Sequence, residues 1–293
     1  GAQGIHGTGV PPGNNPYFIP LPFLNIEALE DAVRAHAADL AAIMIEPAAM
    51  CVDPKDHQHW SDTPYLRRAR ELANQYGALL IFDEIMTGFR FRGGSASAAF
   101  GVTADLTCLG KALANGMPLS ALISRSGLLK HYTSRIVYAP TMKGETHSFS
   151  AAKAALHIYA SEPVPLEVWA IGECIRSGVR EACRSLQLHA GLIGPPYRMY
   201  FKFFDLEAES EQDIVLHSLL QQELARHGLI SVKGYVIVSR AHDDAAQDRI
   251  ITGYAKALRR VAGAKATGHA VHFLEIPNLP IERRTAVPSE KQV

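Results

Sequence analysis

The sequence predicts an α/β protein, a mainly parallel sheet with helices packed against it, followed by a smaller α+β domain. Three observations predict it. Two short apolar runs, 41–45 and 79–82, carry no polar alternation, which suits parallel strands buried on both faces. Each run follows a segment with apolar residues at helical spacing, and helix, strand, helix, strand is the order such sheets require. Beyond about residue 160 that alternation stops, and helices and strands come in groups.

Residues 1–24 are rich in Gly, Pro and Asn without a clear period and read as an extended leading segment. Asn25 is placed to cap a helix carrying Ile26, Leu29 and Val33 on one face. The strand at 41–45 ends in Glu46-Pro47. Thr63 (cap), Pro64 (first turn) and Gly77 (just past the end) bracket a helix that turns Tyr65, Leu66, Ala69, Leu72, Ala73 and Tyr76 inward. The strand at 79–82 ends in Asp83-Glu84, and 119–123 and the stretch before Lys111 are further strand candidates. In the second half, 151–160 and 166–187 read as helices and 198–204 as a strand. A helix over 211–227 closes at Gly228, strand material with a hairpin around Lys233-Gly234 spans 229–239, and 244–261 is helical. The expected organisation is therefore a large domain over 1–160, a small domain over 161–262 and a tail over 263–293.

Composition excludes several classes of function. Lys plus Arg and Asp plus Glu each number 29, so the chain carries no net positive charge with which to hold nucleic acid or an anionic membrane surface. No apolar run approaches the ~18 residues needed to span a bilayer. The four cysteines form no CxxC pair and lie far apart, which points to a reducing, cytoplasmic compartment rather than a disulfide framework. Cys51, Asp53, Asp56, His57 and His59 cluster, but their order matches no standard zinc spacing and reads as a solvated loop; no metal is expected. Gly7-Thr-Gly9 lacks the strand and helix of a dinucleotide site, and no Gly-x-Ser-x-Gly elbow occurs.

Two charged residues stand apart by context. Asp83 closes a strand, and the carboxyl ends of strands form the ligand crevice of open α/β sheets. Lys111 lies in Leu109-Gly-Lys-Ala-Leu113, an apolar frame in which desolvation disfavours the charged amine and frees a nucleophile. Lysine amine plus carboxylate is the pair that pyridoxal phosphate needs, one to condense with its aldehyde and one to keep its ring nitrogen protonated. Position alone leaves equally open that Asp83 caps a helix and Lys111 is partly exposed.

The stretch Leu80-Ile-Phe-Asp-Glu-Ile-Met-Thr-Gly-Phe-Arg90, with Asp105-Leu-Thr-Cys-Leu-Gly-Lys111 and Asn115-Gly-Met-Pro118, closely resembles the signature of the class III aminotransferases. These are pyridoxal-phosphate enzymes of fold type I, with a mainly parallel, three-layer α/β large domain. The wording is most similar to the branch of glutamate-1-semialdehyde aminomutase and its transaminase relatives. The resemblance implies an aminotransferase or an aminomutase acting on a small-molecule amino donor and acceptor. It makes Lys111 the Schiff-base lysine and proton shuttle, Asp83 the partner of the pyridine nitrogen, and Ile85 the apolar residue on the ring face. Gly144-Glu-Thr-His-Ser-Phe-Ser150 resembles the segment whose threonine, here Thr146, binds the cofactor phosphate of the other subunit, which implies a homodimer with a shared site. Glu46-Pro47 resembles the family's glutamate-proline beside the cofactor, whereas Ala48-Ala-Met-Cys51 departs from the usual turn after it. For Glu84 a helix-start or ion-pair role is expected, and for His147 and Ser148 a helix-start role.

Complete family members begin roughly a third of a chain earlier, with a Gly-Thr-rich phosphate turn and a ring-stacking aromatic that these residues do not include. The alternative is therefore a catalytically incomplete remnant, or an interaction protein, that keeps the aminotransferase fold.

Overall fold

The computed structural model describes residues 17–22, 24–48, 63–125, 127, 128, 130, 144–207, 210–231 and 234–275. The Gly7-Thr-Gly9 segment, Cys51 with its acidic and histidine neighbours, Lys233 and residues 276–293 lie outside them. The described chain falls into two compact units, one of 21–48 with 63–167 and one of 17–20 with 168–275.

The first unit is built on a four-stranded sheet of order β1 (Ala42–Ile45), β2 (Leu79–Asp83), β3 (Leu106–Leu109), β4 (Ala121–Ser124). β1, β2 and β3 run parallel and β4 returns antiparallel to β3. Helix α1 (Ile26–Ala35) starts where Asn25 accepts the Ala28 N–H at 2.9 Å, the cap its sequence predicts. Helix α2 (Thr63–Tyr76) buries Tyr65, Leu66, Ala69, Leu72 and Ala73, and Tyr76 packs on the same core; Gly77 ends it with φ +67°. Leu29 and Val33 of α1 join this face of α2 over Ile43, Ile45, Leu80 and Phe82, so helices cover one side of the sheet. On the other side lie Met44, 55 % exposed, and its register partner Ile81.

Asp105, at the foot of β3, fixes that strand to β2. It is 1 % exposed; its Oδ2 accepts the Leu80 N–H at 2.7 Å and pairs with Arg70 at 2.7 Å, while Oδ1 pairs with Arg125. Burial alone would raise this carboxyl, but the Leu80 N–H and the Arg70 and Arg125 guanidiniums outweigh it and hold it below its ordinary range.

Two short helices and two long ones complete the unit's connections. Helix α3 (Ala96–Phe100) ends at Gly101 in a left-handed conformation. A 3-10 turn, Lys111–Leu113, follows β3 directly. Helix α4 (Thr146–Ser161) and helix α5 (Val164–Ser185) flank Pro163, and the division between the units falls within α5.

The second unit holds an antiparallel sheet of order β5 (Ala190–Ile193), β6 (Arg198–Phe203), β7 (Tyr235–Ile237). Helices α6 (Glu211–Arg226) and α7 (Asp244–Ala266) pack with α5 on a core of Ile175, Val179, Met199, Phe201, Leu216, Leu220, Tyr254 and Leu258. Three expectations need correction here. The tail does not begin at 263: α7 continues to Ala266 with Ala264 fully buried, and a 3-10 turn, Ala270–Phe273, packs against the same core. Among the described residues, strand over 229–239 is confined to β7, three residues long, which pairs with β6, from which α6 separates it in sequence; the hairpin expected around Lys233-Gly234 lies partly outside them. β5 has no counterpart among the predicted strands, because Ala-Gly-Leu-Ile carries little β propensity of its own. Among the described residues no helix is long and apolar enough to cross a membrane.

Candidate active site

Three parallel strands bring three of the singled-out residues to one edge. Ile45 pairs with Phe82, and Asp83 with Cys108, so Glu46, Asp83 and the turn beginning at Lys111 follow β1, β2 and β3 at the carboxyl end of the sheet. That edge is where open α/β sheets bind ligands. Asp83 lies on the face opposite α1 and α2, since it alternates with the inward-facing Leu80 and Phe82.

Asp83 is half-buried, and its Oδ1 accepts the Ile85 N–H at 3.0 Å. Among the described residues no hydrogen bond reaches its second oxygen. After burial, the Asp83 charge is what raises the Cys108 thiol beside it. Ile85 turns toward β3: a Cβ at Gly110 would stand 3.4 Å from its Cγ2. Gly110 and the lysine turn therefore lie beside the loop after Asp83.

Lys111 itself is exposed, whereas its apolar frame predicts a desolvated amine. The reason is local. The turn buries Ala112, Leu113 and Ala114, and the lysine at its head takes φ +39°, which leaves its side chain outside. For an L residue this left-handed conformation costs about 1–2 kcal/mol. It is held by the Ala114 and Asn115 N–H groups, both bonded to the Lys111 carbonyl, and by the Leu113 N–H on Gly110.

Glu84 shows how the loop between β2 and α3 stays closed. It is 1 % exposed and accepts from Thr87 Oγ1 (3.3 Å), Ala96 N–H (2.7 Å) and Ser97 N–H (3.2 Å), the last two from the first turn of α3. This is the helix-start role its position predicts, reached across the loop. Gly88 has no room for a side chain: a Cβ would lie 2.8 Å from the Glu84 carbonyl and 2.9 Å from Leu109.

Thr146 opens α4 and is exposed. The residue before it, Glu145, makes no side-chain capping bond, and among the described residues no side chain caps the first-turn N–H groups. Ser148 is not the helix-start cap its position predicts, for it is 1 % exposed and its Oγ has no partner among the described residues. At the other end of the helix, Tyr159 donates its phenol to the Ala112 carbonyl at 3.3 Å. Thr146 thus stands thirteen residues, about 20 Å along the axis, from the residue that touches the lysine turn.

This arrangement fits a pyridoxal-type cofactor in its donor set: an exposed amine, a carboxylate with one oxygen unengaged among the described residues, an apolar side chain beside the lysine turn and a helix N-terminus that no described side chain caps. No group of three or more His, Cys, Asp or Glu able to hold a metal occurs among the described residues.

The sequence profile of the class-III aminotransferases matches residues 21–189. A glutamate-1-semialdehyde 2,1-aminomutase of Thermomicrobium roseum is 31% identical over 272 residues, covering 88% of this chain and 62% of that protein. The enzyme of the same name from Aquifex aeolicus is 29% identical, covering 78% of this chain and 54% of its own length. The chain thus spans about six-tenths of the first of these relatives. Among solved structures, an omega-transaminase from Sphaerobacter thermophilus superposes with TM-score 0.72 at 22% identity, over 82% of this chain and 57% of that one. A transaminase described with PLP bound gives TM-score 0.71 at 22% identity, over 83% and 57%. These likenesses show the fold, an α/β architecture with a mainly parallel sheet.

Proposed function

Since the chain belongs to the class-III aminotransferase family, we propose that it is part of a pyridoxal-phosphate-dependent aminotransferase or glutamate-1-semialdehyde-type aminomutase. The observation that carries the reading is the convergence of Asp83 and the Lys111 turn at the carboxyl ends of adjacent parallel strands. When bound, pyridoxal phosphate supplies an aldehyde for an amine to condense with and a ring that accepts electrons from a carbon losing its proton.

The protein's part is positional. Lys111 Nζ would offer the amine for the cofactor and, as a base, hold and move a proton at the reacting carbon. Asp83 would use its other oxygen to accept from the cofactor's protonated ring nitrogen, while the Ile85 N–H fixes the first. Ile85 offers an apolar surface to the ring, and Glu46 closes the same edge. Thr146 and the open N–H groups of α4 receive a phosphate, and their distance from the lysine turn supports delivery to the partner's site in a homodimer. The first compact unit is the cofactor-binding part and the second the small domain. A small-molecule amino donor and acceptor are the substrates. The three described cysteines are free, which supports a cytoplasmic setting.

The exposure of Lys111 favours one competing reading, a non-catalytic chain that keeps the fold. One experiment separates them. Protein loaded with pyridoxal phosphate and dialysed should retain the absorption of covalently held cofactor, and Lys111→Ala should lose it. Identical spectra from the two proteins would remove Lys111 from its role and favour the non-catalytic reading.

A further inference from the structure

One side chain outside the sequence motifs touches both halves of the candidate site. Tyr159, near the end of α4, stacks on Phe89 with ring centroids 5.1 Å apart and planes 13° from parallel. Its phenol donates to the Ala112 carbonyl at 3.3 Å. Phe89 belongs to the loop that leaves Asp83 and is itself left-handed, at φ +62°, with its N–H on the Gly94 carbonyl at 2.7 Å. Ala112 is the residue after Lys111.

We propose that Tyr159 is a positioning residue for Lys111: its phenol on the Ala112 carbonyl and its ring on Phe89 lock the lysine turn against the loop that carries Asp83. The proposal rests on the reading of Lys111 given above and adds to it the element that sets where the amine points. A single 3-10 turn leaves carbonyls without partners inside the helix. The Lys111 carbonyl takes the Ala114 and Asn115 N–H groups, and the phenol serves the next one. Without that donor, the peptide plane after Ala112 is held on one side alone, by the Leu113 N–H on Gly110, and Lys111 relaxes more readily from φ +39° toward ordinary negative φ. Such a change at Cα swings a four-carbon side chain and carries the amine away from the Asp83 edge. Burial raises the phenol's pKa, partly offset by Arg90, so the phenol stays a proton donor at neutral pH.

Two variants separate the bond from the stack. Tyr159→Phe keeps the ring on Phe89 and deletes the donor; Tyr159→Leu deletes both. The measurement is the rate at which pyridoxal phosphate becomes fixed to Lys111 under borohydride, by peptide mass spectrometry, against cofactor concentration. The Lys111 acetylation rate with acetic anhydride and the urea unfolding midpoint serve as controls. For Tyr159→Phe we expect the limiting rate of fixation to fall roughly threefold to tenfold, the range one net hydrogen bond supports. Half-saturating cofactor and acetylation should stay at wild-type values, and the unfolding midpoint should fall by no more than the loss of one hydrogen bond. Tyr159→Leu should lose more, with Phe standing as the partial rescue. Wild-type limiting rates in both variants would overturn the positioning role while leaving Lys111 in place. A fall matched by an equal fall in acetylation, or by a stability loss well beyond one hydrogen bond, would overturn it too, as a general loosening of the fold. If the wild-type protein fixes no cofactor at Lys111, the proposed function fails and the positioning role falls with it.

Discussion

Lys111 and Asp105 show two ways in which a residue's surroundings, rather than its type, decide its task. Lys111 spends conformational energy: an L residue at φ +39° persists only where neighbours over-determine it, and such strain gathers at functional sites. Asp105 does the reverse and spends charge on stability, bonding Leu80 N–H and two arginines from a position 1 % exposed. Replacing Asp105 with Asn should cost about 3 kcal/mol, because it strands the Arg70 guanidinium, only 18% exposed, beside a neutral amide. Its carboxyl is lower in the folded chain than in the unfolded one, so its contribution is complete above about pH 4 and lost as pH falls through the folded value. Urea midpoints measured between pH 7 and 3 should therefore fall more steeply for the wild type than for Asp105→Asn; parallel curves would contradict this. The placement of Asp83 and the Lys111 turn at the carboxyl ends of strands is legible in the sequence because an apolar run closed by a polar or glycine-bearing turn is a local feature. The exposure of Lys111 and the task of Tyr159 are not, since one depends on a single backbone angle and the other on a contact 47 residues away.

The loop from Asp83 to α3 is the element on which the site's shape depends most. Glu84 satisfies the first N–H groups of α3 from across the loop, and Gly88 sits where any side chain would strike the Glu84 carbonyl and Leu109. Glu84→Ala leaves the Ala96 and Ser97 N–H groups without their acceptor and should destabilise the protein by roughly 1–3 kcal/mol. Gly88→Ala should cost a similar amount through overpacking. Thermal unfolding of both variants checks this, and midpoints equal to wild type would mean that the loop is held elsewhere. Elements with a strong period and explicit caps, α1 and α2 above all, are legible in the sequence to within a residue or two. β5 is not, being four small or apolar residues whose strand state comes from pairing with β6. The end of α7 is missed for a related reason: Gly263 and Gly268 suggest a stop, but Ala264 packs into a fully buried position and keeps the helix going.

At the scale of the whole molecule, the compact units divide at 167, and residues 17–20 belong with the second. The proposed shared site makes a prediction of its own. Lys111→Ala and Thr146→Ala chains should each retain little cofactor alone. Expressed together, they should recover part of it, because a mixed dimer holds one site with an intact lysine from one chain and an intact threonine from the other. No recovery would place Thr146 outside the partner's site. The central claim is that one amine at the carboxyl edge of the sheet is built to hold pyridoxal phosphate, and mapping where the cofactor is fixed after borohydride reduction tests it most directly. We expect the label on the peptide carrying Lys111, reduced when Asp83 is changed to Asn. Label spread over lysines in proportion to their exposure, with the Lys111 peptide no richer than the rest, would contradict the account.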